Sequence, residues 1–286
     1  MTVKITVVRG GALTTIQDYG RPGHAHLGVP RSGALDAGAL GLANRLVGNA
    51  EGAAVLETTL TGCALRPDQG VTVVVGGAPC PVTIDGAPAA WGVPVYVTAG
   101  AVLDVGRASA GIRSYVAVAG GIAVEPVLGS RATDLLSGLG PAPLSAGDVL
   151  PVGEAPGAQP VLPVAAPWPA PPAELVLPVR FGPRADWFTE VARRTFITAG
   201  YTVSGNSNRI GLRTQGPALE REWDGELPSE GMVLGAVQVP PDGRPVVFLH
   251  DHPTTGGYPV IAVAEEAALG AAAQAAPGTP LRFTLC

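Results

Sequence analysis

Short runs of β-branched and other apolar residues, separated by glycine and proline, make up most of the chain. This pattern favours many short strands, as in a β-barrel or β-sandwich, over alternating strands and helices. We therefore predict a mainly β fold. The strands are expected at residues 5–8, 71–75, 93–98, 102–105, 113–117, 175–181, 233–239, 246–249 and 281–285.

Few segments have the spacing or composition of a helix. Residues 37–47 carry an apolar stripe at helical spacing, and Asp36 precedes them as the expected N-cap. A second helix is predicted over residues 185–195, with Phe188 facing inward. A third is predicted over residues 265–275, where abundant alanine favours helix.

A proline-rich stretch divides the chain. Residues 155–172 read APGAQPVLPVAAPWPAPP and contain seven prolines, which oppose both helix and sheet hydrogen bonding. We predict an N-terminal β subdomain over residues 1–154, a connector over residues 155–172, and a C-terminal β subdomain over residues 173–286.

The charge of the chain is mild and scattered. Its 286 residues include 18 basic and 23 acidic side chains, a net charge of −5, with no basic stripe. Nucleic-acid binding is not expected, because it depends on clustered positive charge. No apolar stretch approaches the roughly 20 residues that span a bilayer. The first residues show no export signal, so we predict a cytoplasmic protein without membrane contact.

Two residue types limit the chemistry that the chain can perform alone. Lys4 is the only lysine, so no other lysine can serve a P-loop, a Schiff base or a biotin carrier. Cys63, Cys80 and Cys286 are too few and too widely spaced for a disulfide framework or a CxxC metal site. ATP or biotin chemistry would therefore have to come from another chain.

The first of three polar, glycine-rich segments runs over residues 14–36 and is expected to form one long loop before the first helix. Polar loops mounted on a barrel often carry binding sites. Within it, Gln17, Asp18, Arg21 and Ser32 are candidate site residues. The alternative is that Asp18 and Arg21 only pair to fix a turn.

The second polar segment, residues 203–213, reads VSGNSNRIGLR. Ser207 and Asn208 offer hydroxyl and amide groups for a planar polar substrate, and Arg209 and Arg213 can grip a carboxylate. The alternative is a turn followed by a strand with one exposed arginine.

The third polar segment, residues 249–259, reads LHDHPTTGGYP. Its Thr-Thr-Gly-Gly run can present backbone N–H groups to an oxyanion, although a plain surface turn, or buried and hydrogen-bonded histidines, are alternatives. His250 and His252 could join His24 and His26 as four imidazole ligands. No carboxylate stands at a recognisable spacing from them, so we predict no metal.

Motifs in all three segments resemble those of the allophanate hydrolase subunit 2 family. Residues 14–58 read TTIQDYGRPGHAHLGVPRSGALDAGALGLANRLVGNAEGAAVLET, residues 207–213 read SNRIGLR, and residues 229–259 contain SEG, QVPPDG and TTGGYP. That family includes the C component of prokaryotic 5-oxoprolinase, KipA-like proteins and the carboxyltransferase region of urea carboxylase. Three separate motifs in the same order make the resemblance specific.

The resemblance implies two cyclophilin-like β-barrel subdomains and a partner of the KipI-like subunit 1 family. In 5-oxoprolinase such a pair, with a LamB/YcsF-like subunit, opens 5-oxo-L-proline to L-glutamate at the expense of ATP. This chain would bind no cofactor alone, and ATP or carboxybiotin would act through partner subunits. We expect a hydrolase subunit acting on a cyclic amide and inactive without its partners. The alternatives are a biotin-dependent carboxyltransferase component acting on urea, and a KipA-like regulator that sequesters subunit 1.

The resemblance also implies site residues. The expected catalytic residues are Asp18, Arg21, Arg209 and Glu230. The expected substrate-binding residues are Gln17, Ser32, Gly33, Ser207, Asn208, Arg213, Thr254, Thr255, Gly256, Gly257 and Tyr258. The arginines would stabilise an oxyanion or a carboxylate, and the carboxylates would orient them or act as base. We expect the three segments to converge on one amide-binding cleft.

Overall fold

A computed structural model describes residues 2–155, 166–223 and 225–286. The chain forms two compact units. The first contains residues 1–21, 36–134 and 138–171, and the second contains residues 22–35, 135–137 and 172–286. Residues 156–165 of the predicted connector lie outside the described residues. Two short segments that precede the predicted connector therefore belong with the second unit.

The described residues of the first unit form two sheets and one α-helix. Its strands are β1 (Lys4–Arg9), β2 (Leu13–Gln17), β3 (Val55–Thr59), β4 (Ala64–Pro67), β5 (Val71–Gly77), β6 (Val82–Ile84), β7 (Ala87–Ala89), β8 (Val95–Val97), β9 (Leu103–Val105), β10 (Arg113–Val118) and β11 (Val149–Pro151). The sheet orders are β11-β1-β4-β9-β6-β7 and β2-β3-β10-β5-β8. Apolar side chains from both sheets form one core, with Val7 and Leu65 from the first sheet and Ile16 and Val116 from the second.

Helix α1 (Ala37–Leu46) begins where the sequence predicts. The side chain of Asp36 accepts a hydrogen bond of 3.0 Å from the backbone N–H of Ala39, which confirms Asp36 as the N-cap. Leu40 and Ala43 are buried, and the helix packs against β10 and β5.

The second unit contains a closed barrel with strand order β12-β19-β16-β17-β14-β13-β20. Its elements are β12 (Leu175–Phe181), α2 (Glu190–Thr198), β13 (Tyr201–Val203), β14 (Gly211–Gln215), β15 (Glu230–Gly231), β16 (Ala236–Gln238), β17 (Val246–Phe248), β18 (Thr255–Gly256), β19 (Val260–Ala264), α3 (Leu269–Gln274) and β20 (Pro280–Leu285). Strands β15 and β18 form a separate pair. The barrel interior is apolar, with Val237, Val247 and Ile261 fully buried.

The mainly β fold class with few helices is confirmed. Strand β12 matches its predicted range, whereas the run predicted over residues 233–239 is a strand only at Ala236–Gln238. The loop predicted from residue 14 is wrong at its start, because residues 14–17 lie in β2. No helix in the described part of the chain is long and apolar enough to cross a membrane.

The second and third predicted helices exist but begin later than predicted. Residues 185–187 form a separate 3-10 turn, and α2 starts after Thr189, whose hydroxyl accepts a hydrogen bond from the Ala192 N–H at 3.1 Å. A 3-10 turn likewise precedes α3. Phe188 faces inward, as predicted.

Candidate functional site

The predicted site residues are divided between the two units. Gln17, Asp18 and Arg21 belong to the first unit, and all the others belong to the second. The expected convergence on one cleft therefore stays a prediction.

Asp18 follows β2 and binds the loop around residue 130. Its Oδ1 accepts hydrogen bonds from the Gly20 N–H at 2.8 Å and the Ser130 hydroxyl at 2.6 Å. Its Oδ2 accepts one from the Arg131 N–H at 2.6 Å. Both carboxylate oxygens are thus engaged, and they fix the loop to the end of the strand.

Arg21 is buried and supports the same loop. Its Nε donates a hydrogen bond of 3.3 Å to the carbonyl of Val127, and its Nη2 donates to the carbonyl of Ala132. The contacts of Asp18 and Arg21 therefore match a turn-fixing role for both residues, achieved through backbone groups of residues 127–132.

Gln17 is fully buried in the first unit. Its Nε2 donates hydrogen bonds of 3.0 Å to the Thr15 hydroxyl and to the Thr133 carbonyl. Its Oε1 has no hydrogen-bond partner among the described residues. A buried acceptor without a partner costs about 1–3 kcal/mol, so a donor that reached it would be bound favourably.

Arg209 lies at the centre of a buried charge cluster in the second unit. Its Nε and Nη2 donate to the two carboxylate oxygens of Asp251 at 2.9 and 3.0 Å. Its Nη2 also donates to the Gly33 carbonyl at 2.7 Å, and the Leu135 N–H donates to Asp251 at 3.3 Å. This two-pronged pairing holds the guanidinium in a fixed orientation.

Ser32 and Gly33 adopt left-handed backbone conformations beside this cluster. Their φ angles are +53° and +96°, and Ser32 is fully buried. The Ser32 N–H donates to the His250 carbonyl at 2.9 Å. A left-handed conformation at a residue with a Cβ costs on the order of 1–2 kcal/mol. Such strain persists where surrounding contacts enforce it, commonly at functional sites.

The SNR segment folds back on itself. The Oδ1 of Asn208 accepts hydrogen bonds from the N–H groups of Ile210 and Gly211 at 2.9 and 3.2 Å. The Ser207 hydroxyl accepts one from the Arg213 N–H at 3.0 Å. Arg213 is exposed on β14. These contacts match the alternative of a turn followed by a strand with an exposed arginine, and Arg209 alone turns inward.

The TTGG segment forms one strand of the small β15–β18 pair. Glu230 lies opposite Gly256, and the Met232 N–H donates to the Thr254 carbonyl at 2.9 Å. Gln238 donates to the Tyr258 carbonyl at 3.1 Å from the neighbouring barrel strand β16. This hydrogen bond ties the chain just after β18 to the barrel.

Glu230 forms a two-pronged ion pair with Arg184. The Arg184 Nε lies 3.1 Å from Oε2, and Nη2 contacts Oε1. The hydrogen bond from Arg184 lowers the pKa of Glu230 and raises that of the arginine. Glu230 is thus held as a carboxylate by an arginine that lies outside all three polar segments.

The histidines of the third segment are buried. His252 stacks on Phe248, with ring centroids 5.8 Å apart, and its Nδ1 lies 2.8 Å from the Pro253 carbonyl. Burial lowers its pKa, so the ring is neutral near pH 7. Within the described ranges, no group of three or more His, Cys, Asp or Glu side chains is placed to hold a metal ion.

Two open cavities lie in the second unit, away from the predicted site residues. One of about 530 Å³ is lined by Glu220, Arg221 and Asp242, among others. The other, of about 430 Å³, lies between Phe181 and the Arg194 side of α2.

Two pairings in the second unit could not be read from the sequence. Asp251 lies 42 residues from Arg209, and Arg184 lies 46 residues from Glu230. Only its position inside the third polar segment indicates from the sequence that Asp251 could belong to the site. Nothing in the sequence around Arg184 indicates such a role.

The sequence of the chain matches a known protein family and several known proteins. The family described as carboxyltransferase domain, subdomains A and B, matches residues 27–285. The C component of the 5-oxoprolinase of Escherichia coli K12 is 39% identical and aligns with 99% of this chain and 91% of its own length. The urea amidolyase of Lachancea kluyveri is 34% identical over 97% of this chain, which spans 16% of that protein.

Solved structures agree with these relatives. The crystal structure of TTHA0988 superimposes with a TM-score of 0.89 at 35% identity over 99% of this chain, which spans 56% of the TTHA0988 chain. The crystal structure of the K. lactis urea amidolyase superimposes with the same TM-score, 0.89, at 32% identity. The match includes 98% of this chain, which spans 18% of the urea amidolyase.

Proposed function

The chain belongs to the carboxyltransferase domain family, and on that premise we propose that it is the C component of an ATP-dependent 5-oxoprolinase, which opens 5-oxo-L-proline to L-glutamate. The observation that carries the proposal is the 39% identity to the C component of a 5-oxoprolinase along nearly the full length of both chains. The corresponding 5-oxoprolinase component of Haemophilus influenzae is 35% identical over 94% of this chain.

The proposed partners are those that the family resemblance implies, and the scarcity of lysine agrees with them. With Lys4 as its only lysine, the chain offers neither a P-loop lysine nor a biotin attachment site of its own. We propose that ATP acts through a KipI-like subunit 1 and a LamB/YcsF-like subunit, and that the chain is inactive without them.

The proposed substrate is a planar cyclic amide, and each unit, taken by itself, offers side chains suited to such a group. Gln17 Oε1, buried and without a partner among the described residues, can accept the ring N–H. Opening the ring adds the oxygen of water to the carbonyl carbon, breaks the C–N bond and moves a proton to the leaving nitrogen, which becomes the amino group of glutamate. Arg209 or Arg21 would stabilise the oxyanion that forms. We add Asp251 and Arg184 to the site residues predicted from the sequence, because Asp251 holds Arg209 in place and Arg184 holds Glu230 in place.

The proposal is tested by co-expressing the chain with its two partner subunits and measuring ATP-dependent release of glutamate from 5-oxo-L-proline. We expect release by the complete complex and none by the chain alone. Arg209→Ala should abolish release. An active wild-type complex whose Arg209→Ala variant retains full activity would refute the assignment of Arg209, and an inactive wild-type complex would refute the function.

The urea amidolyase relatives favour a second candidate, a carboxyltransferase component that moves a carboxyl group from carboxybiotin to urea. A biotin-dependent carboxylation of urea by this chain with a separate biotin carrier would support it. Avidin, which sequesters biotin, should stop the carboxylation of urea and should leave the opening of 5-oxo-L-proline unchanged.

A further inference from the structure

The predicted site residues of the first unit all bind the same stretch of that unit, residues 127–133. Asp18 and Arg21 hold backbone groups of this segment. Gln17 donates a hydrogen bond of 3.0 Å to the carbonyl of Thr133, at the end of the segment. The segment lies more than 100 residues further along the chain and contains none of the motifs from which site residues were predicted. It therefore belongs to any site that these three residues form.

Thr133 carries a buried hydroxyl that the fold leaves unused. The residue is 1% exposed, and its Oγ1 has no hydrogen-bond partner among the described residues. Its backbone N–H donates to the carbonyl of Ile16 at 2.8 Å, which fixes the residue beside β2 through its main chain. A buried polar atom without a partner in a native fold indicates that a water molecule, an ion or a ligand binds there.

The orientation of the Gln17 amide is fixed by its two hydrogen bonds. The Thr133 carbonyl can only accept, so Nε2 rather than Oε1 of Gln17 must face it. The same nitrogen donates to the Thr15 hydroxyl at 3.0 Å. Oε1 is therefore the atom left without a partner within the described part of the chain. Two residues in direct contact, Gln17 and Thr133, thus each hold one buried and unpaired oxygen.

The two unpaired oxygens differ in what they can bind. The amide oxygen of Gln17 can only accept a hydrogen bond, whereas the hydroxyl of Thr133 can also donate one. A lactam or urea presents an N–H donor beside a C=O acceptor in one plane. Gln17 can accept from the N–H of such a group, and Thr133 can donate to its oxygen. A structural water molecule is the competing occupant, since it too can both donate and accept.

We propose that Thr133 is a further substrate-binding residue, which donates its hydroxyl to the carbonyl oxygen of a planar amide whose N–H is bound by Gln17. The inference rests on the proposed function, in which Gln17 accepts the ring N–H, and it supplies the residue that binds the other half of the amide. 5-Oxo-L-proline and urea share this chemistry, so the experiment tests both.

Stability distinguishes a ligand site from a structural water site. Thr133→Val removes the hydroxyl and keeps a side chain of similar shape. Without a permanent partner for that hydroxyl, the free energy of unfolding of the full chain in guanidinium chloride should equal or exceed that of the wild type. The control is Thr58→Val on β3, which removes a buried hydroxyl that donates to the Ser114 carbonyl at 3.2 Å and should destabilise the chain. A loss of stability in Thr133→Val equal to that of the control would show a structural water and overturn the inference.

Calorimetric titration measures the affinity of the assembled complex for 5-oxo-L-proline and, separately, for urea. Thr133→Val should raise the Kd of the bound amide about tenfold, the equivalent of one hydrogen bond. Thr58→Val should leave the Kd unchanged. Thr133→Ser keeps a hydroxyl and should retain more affinity than Thr133→Val. An unchanged Kd in Thr133→Val, or binding of neither amide by the wild type, would overturn the inference.

Glutamate release separates failure of this inference from failure of the proposed function. A wild-type complex that releases glutamate, with the same Kd in Thr133→Val, would leave the proposed function standing and overturn the role of Thr133. A wild-type complex that releases no glutamate but binds urea, and binds it more weakly after Thr133→Val, would overturn the proposed function and support Thr133 as an amide-binding residue.

Discussion

Arg209 and Asp251 face each other as a fully buried, two-pronged ion pair, with N–O distances of 2.9 and 3.0 Å and side chains only 1% and 0% exposed. The pair joins the second and third polar segments of the chain within the second unit. Because the same guanidinium binds the Gly33 carbonyl, it also fixes part of the first segment. Arg209 is therefore an organising residue as well as the proposed oxyanion ligand.

Removing one member of this pair should destabilise the protein strongly. Asp251→Ala leaves the Arg209 charge buried without its counter-ion, and loss of one partner of a buried pair typically costs about 3–5 kcal/mol. The free energy of unfolding in urea measures the effect. Glu266→Ala is the matched control, because Glu266 forms an exposed pair with Arg31 at 2.9 Å, and such pairs contribute about 0–1 kcal/mol. Equal effects of the two substitutions would contradict the prediction.

A side chain at Gly256 should disturb the packing of the β15–β18 pair. A Cβ at this position would lie 2.9 Å from Gln238 Nε2 and 3.3 Å from Met232 Cε, so the Gln238 amide, which donates to the Tyr258 carbonyl, would have to shift. We expect Gly256→Ala to lower the Tm by several degrees, about 1 kcal/mol or more, through overpacking.

The control for Gly256 is on the partner strand. Gly231→Ala would place a Cβ with no atom within 4 Å, so it should leave the Tm nearly unchanged. Thermal unfolding followed by circular dichroism measures both variants. A stable Gly256→Ala variant and an unstable Gly231→Ala variant would contradict the close packing of Gly256 against Gln238 and the open space beside Gly231.

The Glu230–Arg184 pair should stabilise the fold in a pH-dependent way. The pKa of Glu230 is lowered from 4.5 by the Arg184 hydrogen bond, so its stabilisation is present above pH 4.5 and is lost as the pH falls through the lower folded value. Wild type should therefore exceed Glu230→Gln in Tm at pH 7, and the two should approach each other in acid. A difference in Tm that stayed constant down to about pH 3, below the usual carboxyl pKa, would exclude this titration.

His252 should oppose folding as the pH falls below neutral. Burial lowers its pKa from 6.5, so the unfolded chain binds this proton at a higher pH than the folded chain does. The free energy of unfolding of the wild type should decline as the pH falls below 6.5, and its slope should be steeper than that of His252→Gln. Urea titrations on both sides of that pH measure the difference between the two slopes, and equal slopes would mean that His252 is not buried in its neutral form.

Local sequence signals predicted the elements that depend on local physics. Helix α1 starts after its Asp36 cap, and β12 spans residues 175–181 as expected, because capping and apolar runs act between near neighbours. Strand β2 has no such signal, because its Thr14, Thr15 and Gln17 are polar yet buried. A strand covered on both faces has no alternation of apolar and exposed positions to read.

The sequence by itself determined the fold class and the residue types available for chemistry: the arginines in SNRIGLR, the glycines in TTGGYP and one lysine in the entire chain. Tertiary structure alone decided the partner of each buried or half-buried charge, pairing Arg209 with Asp251, Glu230 with Arg184 and Tyr115 with Glu57. Such partners lie far apart in the chain. Strand register and barrel closure bring them together, and these are set by the packing of the entire core rather than by any local pattern.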